Sequence, residues 1–401
     1  MPRAFVLAGG SRSQLGLLEQ ARALGHAVCV IDGAETAPLL AEADHPIVLS
    51  FADVDGVLAE LDRLGIEPAA MATMGSDQAV LPTARLAERL GLPGLPVRTA
   101  EIVADKRKMR TAFEKAGVAS PAGKELTHAD DRVLEEIGLP AVVKPVDGSG
   151  QRGVTEIRSA EELAAAVERA LAASRAGAAV LERYVEGDEY TVNGFLLEGE
   201  YFPMSVTQRL LHPPPPLGVC IAHRYPSRFD REPELFELAH AASAAVGIES
   251  GPSYVQVRVD RADASWVIEV GARLGGGKDA ELAKLVTGFD AIRANVLWAL
   301  GQLTRDDLTT GDATAPCGQV RFVVVQPGRI TRLDAAPAFE LDGVHEAGFY
   351  WQEGMVLPPL TSGAERLGYL LLTAADEAEL DARTEQALNA LVIEIAAEQL
   401  V

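Results

Sequence analysis

The stretch AVVKPVDGSGQRGV, residues 141–154, places a lysine ahead of a glycine-rich run. The commonest phosphate loop has the opposite order, with the Lys after its glycines and a Ser or Thr behind it. Here Lys144 ends an apolar, strand-like segment, and Gly148, Ser149, Gly150, Gln151, Arg152 and Gly153 form the turn that follows. A Lys at a strand end can point into a cleft and reach phosphate oxygens, while a glycine turn offers backbone N–H groups from above. Glycine suits that task because a Cβ would block close backbone approach and positive φ. Taken alone, the segment reads equally well as a hairpin turn with a surface Lys.

Three further signals favour chemistry. Lys106, in the basic run DKRKMR, can bring a second cation to the same triphosphate. In LERYVEGDEYTV (181–192), Glu182 ends a strand and Glu189 follows seven residues later. The hinge between them, including Tyr184 and Val185, can pair its exposed backbone with an adenine edge, and a carboxylate such as Glu189 can accept both ribose hydroxyls. In WVIEVGARLGGG (266–277) an acid interrupts an apolar strand, and Arg273 and three glycines follow. A carboxylate there is costly unless paired or metal-bound. Glu269 as a Mg²⁺ ligand resolves that cost. Arg273 can grip a phosphate or a substrate carboxylate bidentately.

The elements that must position these groups alternate. Residues 4–9, 26–32, 46–50 and 69–74 read as strands, with helices at 15–25 and 80–92, which implies a parallel sheet covered by helices. GGSRSQLG (9–16) does not fit GxGxxG, so a dinucleotide site is disfavoured there. After a Pro/Gly boundary at 91–100, helices are expected at 105–118, 159–174, 232–247 and 290–301. Strands are expected at 141–146 and 178–185, a hairpin over 190–206 and strands at 253–260 and 265–276. Residues 208–227, with four consecutive prolines, read as a long functional loop. Past a linker at 309–318, strands return at 319–330 and 366–374, and a helix over 375–399 closes the chain.

Composition narrows the classes. The 401 residues suffice for two or three domains, and 48% hydrophobic content supports a full core. A net charge of −22 disfavours a nucleic-acid partner. No apolar run is long enough for a bilayer, so no membrane partner is expected. The N-terminus reads as a first strand, not a signal peptide. Cys29, Cys220 and Cys317 form no CxxC pair, which fits a reducing, cytoplasmic setting without a disulfide framework or zinc site.

In order and spacing, DKRKMR, VVKPVDGSGQRGV, LERYVEGDEYTV and VIEVGARLGGG resemble the ATP-grasp superfamily. With YFPMSVTQR and the module FYWQEGMVLPPLTSGAERLGYLLLTAAD (349–376), the chain looks most like bacterial L-amino acid ligases. The resemblance implies an α/β ATP-grasp fold with three parts. These are a parallel-sheet N-terminal domain (1–98), a core (99–310) with a small flap at about 110–185, and an α+β C-terminal domain (311–401). It implies an ADP-forming C–N ligase that joins a small-molecule carboxylate to an amine through an acyl phosphate, using ATP and Mg²⁺, or Mn²⁺ in its place. Implied ATP contacts are Lys106, Lys144, Gly148, Ser149, Gly150, Gln151, Gly153, Glu182, Tyr184, Val185 and Glu189. Implied catalytic groups are Glu269 and Arg273. Arg273, Gly275, Gly276, His223 and Arg224 are the expected substrate contacts. A homodimer is compatible with this reading.

Two positions depart from the family pattern. Gln256 stands where a first metal-binding Glu is usual, and Gly271 where Asn is common. A Gln carbonyl can still coordinate Mg²⁺, with phosphates and water completing the shell. The departures leave open a non-catalytic ATP-binding subunit. A ligase whose acceptor is a carrier-protein thiol or a nucleotide-like amine is also open.

Overall fold

The computed structural model describes residues 3–214 and 217–397. Four short apolar strands, β1 (Arg3–Ala8), β2 (Ala27–Asp32), β3 (His45–Val48) and β4 (Glu67–Ala72), form a parallel sheet in the order β3-β2-β1-β4. The central strands β1 and β2 are buried on both faces along most of their length, as a helix-covered parallel sheet requires. Phe5, Leu7, Val28 and Val30 join one cluster that also takes Phe289, Ala294 and Val296 from farther along the chain. The first sheet is thereby fastened to the core rather than tethered by a linker.

A second sheet is small and antiparallel: β5 (Gly123–Leu126), β6 (Ala141–Pro145), β7 (Thr155–Ile157) and β8 (Ala179–Arg183), in the order β5-β8-β6-β7. The helix Leu163–Ala173 covers it through Leu163, Ala166, Val167 and Ala170.

The third sheet has eight strands: β9 (Gly187–Leu197), β10 (Glu200–Leu211), β11 (Cys220–Tyr225), β12 (Gly251–Asp260), β13 (Ser265–Gly271), β14 (Cys317–Val323), β16 (Val344–Phe349) and β18 (Gly368–Ala374). Its order is β13-β12-β9-β10-β11-β14-β18-β16. Pairing of β11 with β14 carries this sheet across the division expected near residue 310. The C-terminal region adds β15 (Gly328–Asp334), β17 (Val356–Leu357) and β19 (Val392–Ala396) as a three-stranded sheet.

The helix Lys106–Ala116 joins the second and third sheets. Asp105 caps its start by accepting from Arg107 N, and Gly117 at φ 69° ends it. Met109 and Phe113 bury one face in the core. Its first residue, Lys106, lines the cleft between the two sheets.

Two expectations are corrected. Residues 208–227 are not one long loop, because β10 runs to Leu211 and β11 begins at Cys220. The prolines are confined to the connection, of which Pro215 and Pro216 lie outside the described residues. The last helix ends at Ala390, and Val392–Ala396 is a strand against β15, not the continuation to 399. The final part of that expected helix lies outside the described residues.

Candidate active site

A cleft of about 430 Å³ opens between the second and third sheets. The residues expected to bind phosphate line it: Lys106, Lys144, Gly148, Ser149, Gly150 and Gln151. Glu182, Tyr184, Val185, Glu189, Gln256, Glu269 and Arg273 line it as well.

Strand register explains how separated residues meet there. Across the third sheet Arg258 of β12 lies opposite Glu189 of β9, Glu189 opposite Arg209 of β10, and Arg209 opposite His223 of β11. Directly opposed side chains share a face. The result is a row in which Glu189 lies between two arginines. Glu189 takes Arg209 Nε at 2.6 Å on one oxygen and Arg258 Nη2 at 2.9 Å on the other. Burial alone would raise this carboxyl, and the two guanidinium charges outweigh it and lower it. Gln256 and Glu269 are opposed in the same way. Among the described residues no hydrogen bond joins their side chains.

Each cleft carboxylate is held by a cation. Lys144 Nζ lies 2.7 Å from Glu182 Oε2, and Arg110 Nε lies 2.9 Å from Glu182 Oε1. Glu182 is 3% exposed, which would raise its carboxyl, yet Arg110 and Lys144 bring it down to about 2. Lys144 falls below the usual lysine range, because burial and the nearby Arg110 and Lys106 outweigh its share of Glu182. A triphosphate would relieve that state. Lys106 Nζ donates to the Gly148 carbonyl at 2.8 Å and lies 3.2 Å from Glu269 Oε1. Lys106 therefore ties the glycine turn to the proposed metal ligand.

Arg273 stacks over the Tyr254 ring, 4.6 Å from its centroid. Its Nε and Nη2 donate to Asp77 Oδ1 and Oδ2 at 2.8 and 3.0 Å. The N-terminal domain thus fills the fork expected to grip an anion. The C-terminal region closes the other side: Gly363 N donates to the Gly150 carbonyl at 3.2 Å, and Gly363, Ala364 and Arg366 line the cleft.

The residues 137–281 match a family model for the ATP-grasp domain, and 18–94 match one for the ATP-grasp N-terminal domain. The chain carries an ATP-grasp domain. Residues 321–396 match the L-amino acid ligase C-terminal domain 2. Alanine–anticapsin ligase of Bacillus subtilis is 27% identical over 324 residues, covering 72% of this chain and 66% of that protein. D-alanine–D-alanine ligase of Methylococcus capsulatus is 33% identical over 205 residues, 49% of this chain and 64% of that protein. The chain spans about two thirds of the length of the first of these relatives. The crystal structure of an L-amino acid ligase from Bacillus licheniformis superposes with a TM-score of 0.84 at 22% identity, covering 98% of this chain and 99% of that one.

Three expected site residues stand apart from the cleft. Arg224 follows His223 on β11 and so points to the opposite face. There it pairs with Asp381 and Glu377 of the helix Glu377–Ala390, so it is corrected from a substrate contact to a tie on the C-terminal region. Gly153 packs against the helix Leu163–Ala173, where a Cβ would come 2.7 Å from that of Ala173. Gly275 sits against Tyr254 and Asp279, while Gly276 does line the cleft.

Sequence reasoning missed Asp77, Arg110, Arg209, Arg258 and Arg366. Arg110 was legible in principle, four residues beyond Lys106 and on the same helix face. Arg209 and Arg258 follow only from register with Glu189, which no single segment displays.

For a metal, the donor set is sparse. Among the described residues no group of three His, Cys, Asp or Glu side chains is arranged to hold an ion. Glu269, its side chain 26% exposed, with Gln256 opposite, still fits Mg²⁺, which commonly takes one or two carboxylates plus phosphate oxygens.

Proposed function

We propose that this chain is an ATP-dependent carboxylate–amine ligase joining amino acids or amino-acid-like molecules. ATP phosphorylates the carboxylate, the amine attacks the acyl phosphate, and an amide, ADP and phosphate leave. The observation that carries the reading is the closure of the cleft. The region matching the L-amino acid ligase C-terminal domain meets the glycine turn itself, through Gly363 and Gly150.

Within this reading Lys144 exchanges Glu182 for α- and β-phosphate oxygens. Lys106 and the backbone of Gly148, Ser149, Gly150 and Gln151 hold the remaining phosphate. The Tyr184–Val185 backbone meets the adenine, and Glu189 accepts ribose hydroxyls on lone pairs that its two arginines leave open. Glu269 would hold Mg²⁺ with Gln256 as a neutral ligand, and an ion held there would supply charge neutralisation at the phosphate oxygens. Arg273 binds the substrate carboxylate or the transferring phosphoryl group once Asp77 releases it. His223 and Gly276 flank the substrate. The reading places the enzyme in the cytoplasm.

ADP release measured against pairs of L-amino acids tests it. Release that needs both a carboxylate donor and an amine supports the ligase. ATP that binds while no pair releases ADP supports a non-catalytic binding subunit instead.

A further inference from the structure

Lys106, Lys144, Arg209, Arg258 and Arg273 of the cleft are each paired with a carboxylate. Arg366, from the C-terminal region, lines the same cleft, and among the described residues no carboxylate pairs with it. The chain has 58 Asp and Glu against 36 Lys and Arg, so a shortage of acids does not explain this. Glu365, its neighbour in sequence, is engaged elsewhere, accepting from Ser362 N at 2.6 Å and from Ser362 Oγ at 2.8 Å. Arg152 and Arg183 also line the cleft without an acid among the described residues, but both are exposed, whereas Arg366 is partly buried.

Arg366 is nevertheless fixed in place. Its Nε donates to the Gly363 carbonyl at 2.7 Å and its Nη1 to the Cys220 carbonyl at 3.3 Å. The guanidinium carbon lies 3.7 Å from the centroid of the buried Phe322 ring. Among the described residues Nη2 makes no hydrogen bond. A guanidinium held on two carbonyls and a ring face keeps the rest of its donor fork for a planar oxyanion. Its place is beyond the glycines that follow Arg273. A Cβ on Gly277 would come 3.1 Å from Phe322 Cζ and 3.2 Å from His223 Nε2. The run 273–277 spans at most about 14 Å. It connects the ring beneath Arg366 to the arginine proposed for the reacting carboxylate or phosphoryl group. The phosphates already have Lys106, Lys144 and the glycine turn. Gly363 serves both ends: its carbonyl orients Arg366, and its N–H donates to the Gly150 carbonyl at 3.2 Å.

We propose that Arg366 binds a carboxylate of the amine substrate, so that the acceptor is an amino acid with a free carboxylate, not a simple amine or a carrier-protein thiol. The inference rests on the ligase reading, which supplies the acceptor. Two carboxylates enter such a cleft. The donor's is consumed beside Arg273 and the phosphates. The acceptor's survives in the product and needs a counter-charge of its own, which a bidentate fork provides. An amine without a carboxylate leaves that fork unpaired. An α-carboxylate and a side-chain carboxylate offer the same oxygens, and the test separates them.

The test compares ADP release with each L-amino acid as acceptor against its α-amide, in wild type, Arg366→Met and Arg366→Lys. Wild type should disfavour the amide by roughly tenfold or more in kcat/KM, because a buried polar group is left unpaired. Arg366→Met should raise the KM of the amino acid by a similar factor and erase the difference, while the KM for ATP stays near its wild-type value. Arg366→Lys, which keeps the charge and loses the fork, should fall between them. Discrimination against the α-amide assigns the α-carboxylate. Discrimination only between Asp and Asn, or Glu and Gln, assigns a side-chain carboxylate, and either result supports the proposal. A raised KM for ATP with an unchanged acceptor KM marks a phosphate contact and overturns it, as does a folded Arg366→Met variant that keeps the wild-type preference. A second measurement needs neither a variant nor turnover. Phenylglyoxal, an arginine reagent, should label Arg366 in the full chain, as read by peptide mapping, and an amino acid should slow that labelling where its amide does not. Equal protection by acid and amide, or protection by neither, contradicts the proposal. Failure of the ligase reading shows separately, as carboxylate-specific protection of Arg366 without ADP release from any pair.

Discussion

Lys144 is held in the free protein by the acid that a nucleotide must displace it from. Glu182 does not depend on Lys144 alone, because Arg110 bonds both of its oxygens, at 2.9 and 3.0 Å. Lys144 can therefore turn to phosphate without stranding a buried charge. Lys144→Ala should weaken ATP binding by about 1.5–3 kcal/mol, the usual worth of a charge-assisted contact. Calorimetry that finds unchanged affinity contradicts the proposed phosphate contact. Glu269→Ala should remove turnover while leaving the fold, because its side chain is partly exposed and, among the described residues, only Lys106 forms an ion pair with it. Near-normal ADP production by the folded variant would exclude the metal role. At Gln256 the expected direction is reversed. Gln256→Glu adds a charge opposite Glu269 and should lower the Mg²⁺ concentration for half-maximal activity. A lower melting temperature with unchanged Mg²⁺ dependence would instead show repulsion between two acids.

Among the elements, the most legible were those with strong local periodicity or punctuation. The apolar strands of the first sheet and the capped helix Lys106–Ala116 are written in their own residues. Less legible were segments that depend on distant partners. β11 pairs with β14 almost a hundred residues later, so the residues leading into the proline run read as loop when taken alone. The strand Val392–Ala396 follows its helix without a glycine stop, because Leu391 leaves the helix in an extended conformation. Lys106, Lys144, Glu182, Glu189, Glu269 and Arg273 could be chosen by residue type and spacing. Their partners Asp77, Arg209 and Arg258 could not, since sheet register and domain packing bring them in. Arg224 shows the cost of reading neighbours together: it adjoins His223 in sequence but faces the helix Glu377–Ala390. Arg224→Met should therefore destabilise the protein by about 1–2 kcal/mol through lost charged hydrogen bonds. ATP affinity should stay unchanged, and a loss of affinity without a lower melting temperature would return Arg224 to the cleft.

At the scale of the whole molecule, a chain of net charge −22 concentrates cations in one cleft. Low-dielectric walls focus that local field and favour an anionic nucleotide despite the overall charge. The same buried pairs link stability to pH. The Glu182 carboxyl, down from 4.5 to about 2, contributes stability that is fully present above pH 4.5 and lost as pH falls toward 2. Its full contribution is about 3 kcal/mol. In urea unfolding, the stability advantage of wild type over Glu182→Gln should shrink as pH falls from 5 to 3. A constant difference would mean that the folded protein does not hold this acid ionised.

The central claim is that ATP activates a carboxylate in this cleft. Donor amino acids labelled with ¹⁸O in the carboxyl group, supplied with ATP, Mg²⁺ and an amine, test it through the mass of the released phosphate. An acyl phosphate passes one carboxyl oxygen to phosphate, so the account predicts one ¹⁸O in the phosphate for each amide formed. Amide formation with unlabelled phosphate would contradict it.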